Sequence, residues 1–315
     1  MLIDTYTMIV PQTGTLEEYE KFYRMYGSIV RNSILIWKLL DETKDRLPNL
    51  FIEMTQNMRL HEKELVSNFL MFGIHYDSGK RKNYDKSIAN TDTNEIKRYF
   101  NNNISKYIEY ITNKQQFLNL YTAFEESIRA YIENEYKIKG FKQEEIIAKI
   151  LEKEDCLLDY YECLCNIDFS ENQFKKIWIY YTALRNLYSH SGGYIGQKFL
   201  DKINAVRKEL SDYINENDSI QIELSLLNSD DNDLFNFLYC KAENKKKLFI
   251  ISELNLRFFR NFIVHIWESV YIHKYPNINV KQQYVVEKNK FIFSLCCNKE
   301  ESNLLQKKRT ECNTE

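Results

Sequence analysis

The chain has 315 residues, of which 44% are hydrophobic and 28% are charged, the composition of a globular protein with a full core. Its formal net charge of −2 excludes a protein that coats nucleic acid along a broad basic face, because such binding needs many lysine and arginine side chains at the phosphates. No apolar run reaches the roughly 18 residues of a membrane helix, and the first residues lack the pattern of a signal peptide. We therefore expect a cytoplasmic protein with no membrane partner.

The N-terminal helical region, residues 1–112, begins with a clear helical pattern. Apolar residues recur at three- and four-residue steps from Leu16 to Thr43, which is typical of one helix, and Pro48 is expected to close it. The other elements predicted in this region are a helix at 50–72, a polar connecting loop at 76–93 and a helix at 94–112.

Residues 113–275 are predicted to form a helical bundle. No proline lies between 49 and 275, so the residue that most reliably ends a helix is missing. Asp168-Phe169-Ser170 supplies N-cap candidates for a helix that begins near Glu171, and the pair Gly192-Gly193 marks its end. The other predicted helices run from about Leu118 to before Gly140, from Lys142 to Cys165 and from Gln197 to Asn215, with one or two more within 233–275.

The C-terminal extension, residues 276–315, follows the last proline. Residues 284–286 and 291–293 are short β-prone runs on either side of a polar turn, which predicts a small hairpin. About the last dozen residues are predicted to be disordered. The chain as a whole is thus predicted to be all-α, an antiparallel helical bundle with a small β-hairpin in the C-terminal extension.

The seven cysteines are an odd set without paired C-x-x-C spacing. This pattern indicates neither a disulfide framework nor a zinc site. We expect reduced cysteines that mostly fill the core, and no metal or cofactor.

The most informative pattern is Arg-Asn-x-x-x-His, which occurs twice. With 12 arginines and 5 histidines in the chain, chance predicts roughly a fifth of one such Arg-His spacing. The candidate catalytic residues are Arg185, Asn186 and His190 in the first copy and Arg260, Asn261 and His265 in the second.

These residue types suit the cleavage of RNA, which carries its own nucleophile, the 2′-hydroxyl, beside each scissile phosphate. Histidine, with an unperturbed pKa of about 6.5, can take a proton from that hydroxyl or give one to the leaving oxygen. Arginine stays charged and can donate two parallel hydrogen bonds to phosphate oxygens. Asparagine after the arginine can orient either group through its amide. This scheme requires no metal ligands.

Geometry restricts how one helix can use the first copy. Five residues at about 100° each leave Arg185 and His190 roughly 140° apart around an ideal helix, so either the helix end bends or two helices share the work. Gly192 and Gly193 favour a helix end just after His190, where the partial negative charge of the C-terminus would stabilise an imidazolium.

Arg185-Asn186-x-x-x-His190 followed by Ser191-Gly192, on a helix that comes after an amphipathic helix containing Ala123-Phe124-Glu125-Glu126, resembles the HEPN superfamily of helical-bundle ribonucleases. The resemblance covers about residues 115–275. It implies metal-independent endoribonuclease activity on RNA, with sites built where two such motifs face each other in a homodimer or between two copies in one chain. It also implies a role in bacterial defence or a toxin system, with a defence-system protein as a further possible partner.

Two alternatives stay open at this point. His265 lies among apolar residues and is at least as well explained as a core histidine, whereas a functional Arg260 and His265 would complete a composite site or form a degenerate copy. The rival function is a catalytically inactive helical module that binds RNA, nucleotides or protein, as a sensor or regulatory subunit.

Overall fold

A computed structural model describes residues 8–12, 14–43, 45–46, 99–100, 103–165, 168–216 and 246–275. This part of the chain is 79% helical and contains no strands, so the predicted all-α helical bundle is confirmed. The helix predicted at 50–72, the loop at 76–93 and the C-terminal hairpin lie outside the described residues. No helix within the described residues is long and apolar enough to cross a membrane.

Seven α-helices and one 3-10 turn form the described structure. They are α1 (Glu17–Thr43), α2 (Ile104–Tyr136), the 3-10 turn (Gln143–Glu145), α3 (Ile146–Lys153), α4 (Leu157–Cys165), α5 (Glu171–Ser191), α6 (Gln197–Glu216) and α7 (Glu253–Lys274). The predicted bounds of α1, α5 and α6 agree with these to within about two residues.

Two predicted boundaries are wrong. Helix α2 runs without a break through Thr112, where the sequence was expected to divide two helices, because no glycine or proline interrupts residues 104–136. Conversely, the helix predicted from 142 to 165 is interrupted between α3 and α4 at Glu154.

Glu154 explains this interruption, since it leaves the helical conformation and buries its carboxylate, with 2% of the residue exposed. The carboxylate accepts hydrogen bonds from the Tyr131 and Tyr136 hydroxyls and pairs with His273 Nδ1 at 2.9 Å. Burial alone would raise the pKa of Glu154, but the hydrogen bonds from His273 and the tyrosines, together with the charge of Lys274, hold this pKa below its usual value. The break between α3 and α4 is therefore fixed by a buried ionic group.

The described residues fall into two compact units: one contains those up to Arg31 and from Asn113 onward, and the other contains those from Asn32 to Thr112. In the second unit, the Phe100 ring packs against Tyr107 and Tyr110 at centroid distances of 5.4 and 5.5 Å. The site described below lies entirely within the first unit.

Helix α7 forms the centre of the first unit, because nearly every residue from Asn255 to Ile272 is buried. Its Phe259 ring lies 4.9 Å from Phe117 of α2, and Trp267 lies 5.7 Å from Tyr19 of α1. Such edge-on and tilted aromatic pairs add about 0.5–1.5 kcal/mol each beyond the area they bury. A helix that is buried on most sides has no broad solvent face on which to build an open site.

The cysteines differ from expectation at one position. Cys156 is disulfide-bonded. The expectation that all seven cysteines are reduced is therefore wrong.

Candidate active site at the end of α5

The start and the buried face of helix α5 fix the position of the first Arg-Asn-x-x-x-His segment. The Ser170 hydroxyl accepts from Gln173 N and the Gln173 side chain accepts from Ser170 N, a capping box that sets the start of the helix. Phe174, Trp178 and Tyr181 on its buried face then anchor it in the core. The N-cap predicted within 168–170 is thereby confirmed at Ser170.

The far end of α5 stops one residue after His190. Gly192 adopts a left-handed conformation with φ 61°, and its N–H donates to Leu187 O, while Gly193 N donates to the same carbonyl at 3.1 Å. Because the helix ends here, His190 lies in its last turn and is exposed. The predicted end of this helix is confirmed.

The loop that follows His190 is held by the segment that leads into α7. Ile195 N donates to Lys247 O at 2.9 Å, Lys246 N donates to Ile195 O at 2.8 Å, and Phe249 N donates to Gly193 O at 2.9 Å. The Tyr188 hydroxyl adds a bond to Phe249 O at 3.1 Å. These contacts fix where α6 begins relative to the end of α5.

Arg185 and Asn186 interact directly. Arg185 Nη1 donates to Asn186 Oδ1 at 3.1 Å, and both residues are half-buried. Burial raises the pKa of Tyr121 on α2, while the nearby Arg185 charge acts in the opposite direction. The asparagine predicted to orient the arginine is in hydrogen-bond contact with it.

A cavity of about 250 Å³ opens between the end of α5 and the start of α6. His190 and Asn186 both line it, as expected for residues one helical turn apart. Arg185 does not line the cavity, but its guanidinium is hydrogen-bonded to the Asn186 side chain, which does. The full lining is Glu144, Ala183, Asn186, Leu187, His190, Ser191, Gly196, Lys198, Phe199 and Lys202.

The second Arg-Asn-x-x-x-His segment lies in the core. Arg260 is 1% exposed, and its guanidinium donates to Gln116 Oε1 at 3.0 Å and to Glu253 Oε1 at 2.7 Å. Asn261, beside it, is half-buried. The guanidinium is therefore held by hydrogen bonds within the protein core, and it does not line the cavity at His190.

His265 is also enclosed, with 3% of the residue exposed. Its Nδ1 lies 3.1 Å from Glu268 Oε2, and Glu268 Oε1 accepts from Ile9 N at 2.8 Å. The Tyr161 ring packs edge-on against the imidazole at 6.0 Å. His265 thus helps to fasten the N-terminal segment to α7. The composite site considered for the two segments is not assembled among the residues that the structure describes.

Three charged residues of the cavity were not singled out from the sequence. Lys198 and Lys202 follow the glycine-marked end of α5 and are four residues apart, a spacing that would have placed them on one face of the next helix. Glu144 carried no sequence signal, because only folding brings the 3-10 turn to this cavity.

Within the described ranges, no group of three or more His, Cys, Asp or Glu residues is arranged to hold a metal ion. Comparisons with protein-family models, with curated proteins and with solved structures found no match for this chain.

Proposed function

We propose that this protein is a metal-independent endoribonuclease of the HEPN type that acts in a bacterial defence or toxin system. The observation that carries the proposal is the exposed His190 at the capped end of α5, in one cavity with Asn186, whose side chain holds Arg185. The cavity presents a proton-exchanging group and an amide, and Arg185, hydrogen-bonded to that amide from outside the cavity, adds a fixed cation; together these groups suit a phosphodiester.

The reaction uses the 2′-hydroxyl of the RNA as nucleophile. The 2′-oxygen attacks the adjacent phosphorus and loses its proton to a base, the bond from phosphorus to the 5′-oxygen breaks, and an acid protonates the leaving oxygen. The products are a 2′,3′-cyclic phosphate and a 5′-hydroxyl. His190 acts as base or acid in these transfers, and Arg185 stabilises the charge on the phosphorane.

The active unit in this proposal is a homodimer. Arg185 and His190 lie roughly 140° apart around α5, and only His190 reaches the cavity of its own chain. A second copy placed against the exposed end of α5 would bring the Arg185 of one chain to the His190 of the other. Two symmetric sites would result, as a two-fold interface requires.

A catalytically inactive RNA-binding module is the second candidate. It is favoured by the position of Arg185, which is engaged with Asn186 and lies outside the cavity that holds His190. In this alternative the same cavity binds the RNA backbone without cutting it.

The test is incubation of purified protein with single-stranded RNA in EDTA, followed by analysis of the product ends. We expect cleavage to 2′,3′-cyclic phosphate ends, and no cleavage of RNA that carries 2′-O-methyl groups, because the nucleophile is then blocked. His190→Ala should lower the rate by roughly 10²–10⁴-fold.

Arg24→Ala on α1 is the matched control for Arg185→Ala, because Arg24 pairs with Glu20 on an exposed face away from the cavity. Arg24→Ala should cut at the normal rate, and Arg185→Ala should lose roughly 10²-fold or more. Cleavage that is equally fast in His190→Ala, Arg185→Ala and the parent would disprove the nuclease. Tight RNA binding without any cleavage by the parent protein would favour the inactive module.

A further inference from the structure

The cavity at His190 carries more positive charge than the proposed chemistry needs. Lys198 and Lys202 of α6 both line it, one helical turn apart on the same face. Lys198 is exposed, and it makes no ion pair or hydrogen bond within the described part of the chain. Lys202 is half-buried and pairs with Glu144 Oε1 across the cavity. Neither lysine is in the Arg-Asn-x-x-x-His pattern.

The start of α6 strengthens this positive character. Leu200 N donates to Gly196 O at 3.1 Å, which is the first hydrogen bond of the helix, so the N–H groups of Gln197, Lys198 and Phe199 have no partner within it. Gly196, Lys198 and Phe199 all line the cavity. A helix N-terminus whose first N–H groups have no partner within the helix, with two lysines beside it, favours an anion.

Glu144 is the only acidic residue among the described residues that line the cavity, and it neutralises Lys202. An incoming phosphate has to compete with this carboxylate for Lys202, whereas Lys198 has no such competitor in the described ranges. Removal of the Glu144 carboxylate should therefore strengthen phosphate binding at Lys202 but not at Lys198. The subsite can be tested both by removing the lysines and by removing Glu144.

We propose that Lys198 and Lys202 form a subsite for a backbone phosphate of single-stranded RNA next to the scissile bond. This inference rests on the proposed function for the identity of the ligand. Backbone phosphates next to the scissile one are present in any RNA longer than a dinucleotide, so the subsite contributes affinity without base preference. Asn186, which is hydrogen-bonded to Arg185, lines the same cavity as the two lysines, so a strand bound there can contact both α6 and the end of α5.

The experiment compares the double variant Lys198→Gln/Lys202→Gln with the control Lys149→Gln/Lys175→Gln. The control removes the same charge from lysines that pair with Glu152 and Glu171 outside the cavity. Binding is measured by fluorescence anisotropy with a 2′-O-methyl oligonucleotide, which a nuclease using the 2′-hydroxyl cannot cut. The titration is repeated over a range of salt concentrations.

The cavity variant should bind at least about tenfold more weakly. The magnitude of the slope of log affinity against log salt should fall by roughly 0.7, the contribution of the one phosphate that the two lysines neutralise. The control should keep the affinity and slope of the parent. Glu144→Gln should tighten binding by about two- to fivefold, the worth of releasing one exposed ion pair. Cleavage of long RNA should show a raised KM at unchanged kcat.

The outcomes separate this subsite from the nuclease itself. Weaker binding in the cavity variant alone supports the subsite, even if the parent protein cuts no RNA and the proposed function fails. Equal binding by the cavity variant and the control overturns the subsite, even if the parent protein cuts RNA normally. Looser or unchanged binding in Glu144→Gln also counts against it.

Discussion

The same six-residue pattern has opposite environments on α5 and α7. On α5 it ends at an exposed His190 beside a cavity, because Gly192 terminates the helix there. On α7 the helix continues for nine residues beyond His265, and both Arg260 and His265 are almost fully buried. A short motif therefore specifies which groups are near each other along the chain, while the position of the helix end decides whether solvent and substrate can reach them.

The largest expected effect concerns how two chains share the α5 motif. Arg185→Ala and His190→Ala should each lose roughly 10²-fold or more in RNA cleavage. Mixing the two after unfolding and refolding should restore about a quarter of the parent rate, because half of the dimers are mixed and each has one intact site. The measurement is the cleavage rate against mixing ratio. Failure to recover any activity would mean that both residues serve the same chain.

The α7 copy should matter for stability instead. Arg260→Ala removes a buried guanidinium that holds Gln116 and Glu253, so the free energy of unfolding should fall by about 3 kcal/mol. Arg185→Ala, which removes one half-buried hydrogen bond, should cost about 1 kcal/mol or less. Urea unfolding followed by circular dichroism checks both. Equal destabilisation of the two variants would contradict the contrast between the helices.

The C-terminal turn of α7 should make a pH-dependent contribution to stability, because His273 there pairs with the buried Glu154. The pKa of Glu154 is lowered in the folded state, so its carboxylate stabilises the fold above its unfolded pKa of about 4.3, and this contribution is lost as pH falls through the folded pKa. Glu154→Gln should cost about 2 kcal/mol at pH 7 and progressively less below about pH 4.

Urea unfolding at a series of pH values tests this expectation. The difference in the free energy of unfolding between the parent and Glu154→Gln should become smaller only below about pH 4. If the difference in the free energy of unfolding stays constant from neutral pH to about pH 3, the charge of the Glu154 carboxylate is not what stabilises its contacts with the tyrosines and His273.

The smallest effect concerns the end of α5. Gly192→Ala should cost about 1 kcal/mol, because its φ of 61° is strained for any residue with a Cβ, although the added carbon would meet only Tyr194 at 3.9 Å. Gly27→Ala within α1, where the added carbon meets nothing within 4 Å, should instead stabilise by up to about 1 kcal/mol. Thermal unfolding shows whether each variant is more or less stable than the parent. A stabilising Gly192→Ala would disprove the cap.

Local rules predicted much of the fold. Ser170 and Gly192 bounded α5 correctly because capping depends on hydrogen bonds within a few residues. The error at Glu154 came from distant partners: Glu154 ends α3 because its carboxylate binds side chains of α2 and α7, which no local pattern records. For the site, the pattern identified Arg185, Asn186 and His190, but it could not show that Glu144 faces Lys202.

By itself, the sequence determined the helical class and the end of α5, since periodicity and caps act over one or two turns. It also placed asparagine beside arginine, which the structure finds hydrogen-bonded. Only the tertiary structure decided which of the two Arg-Asn-x-x-x-His segments is accessible. Burial depends on what packs around a whole helix, and α7 is enclosed by aromatic side chains from other helices, whereas His190 in the last turn of α5 is exposed.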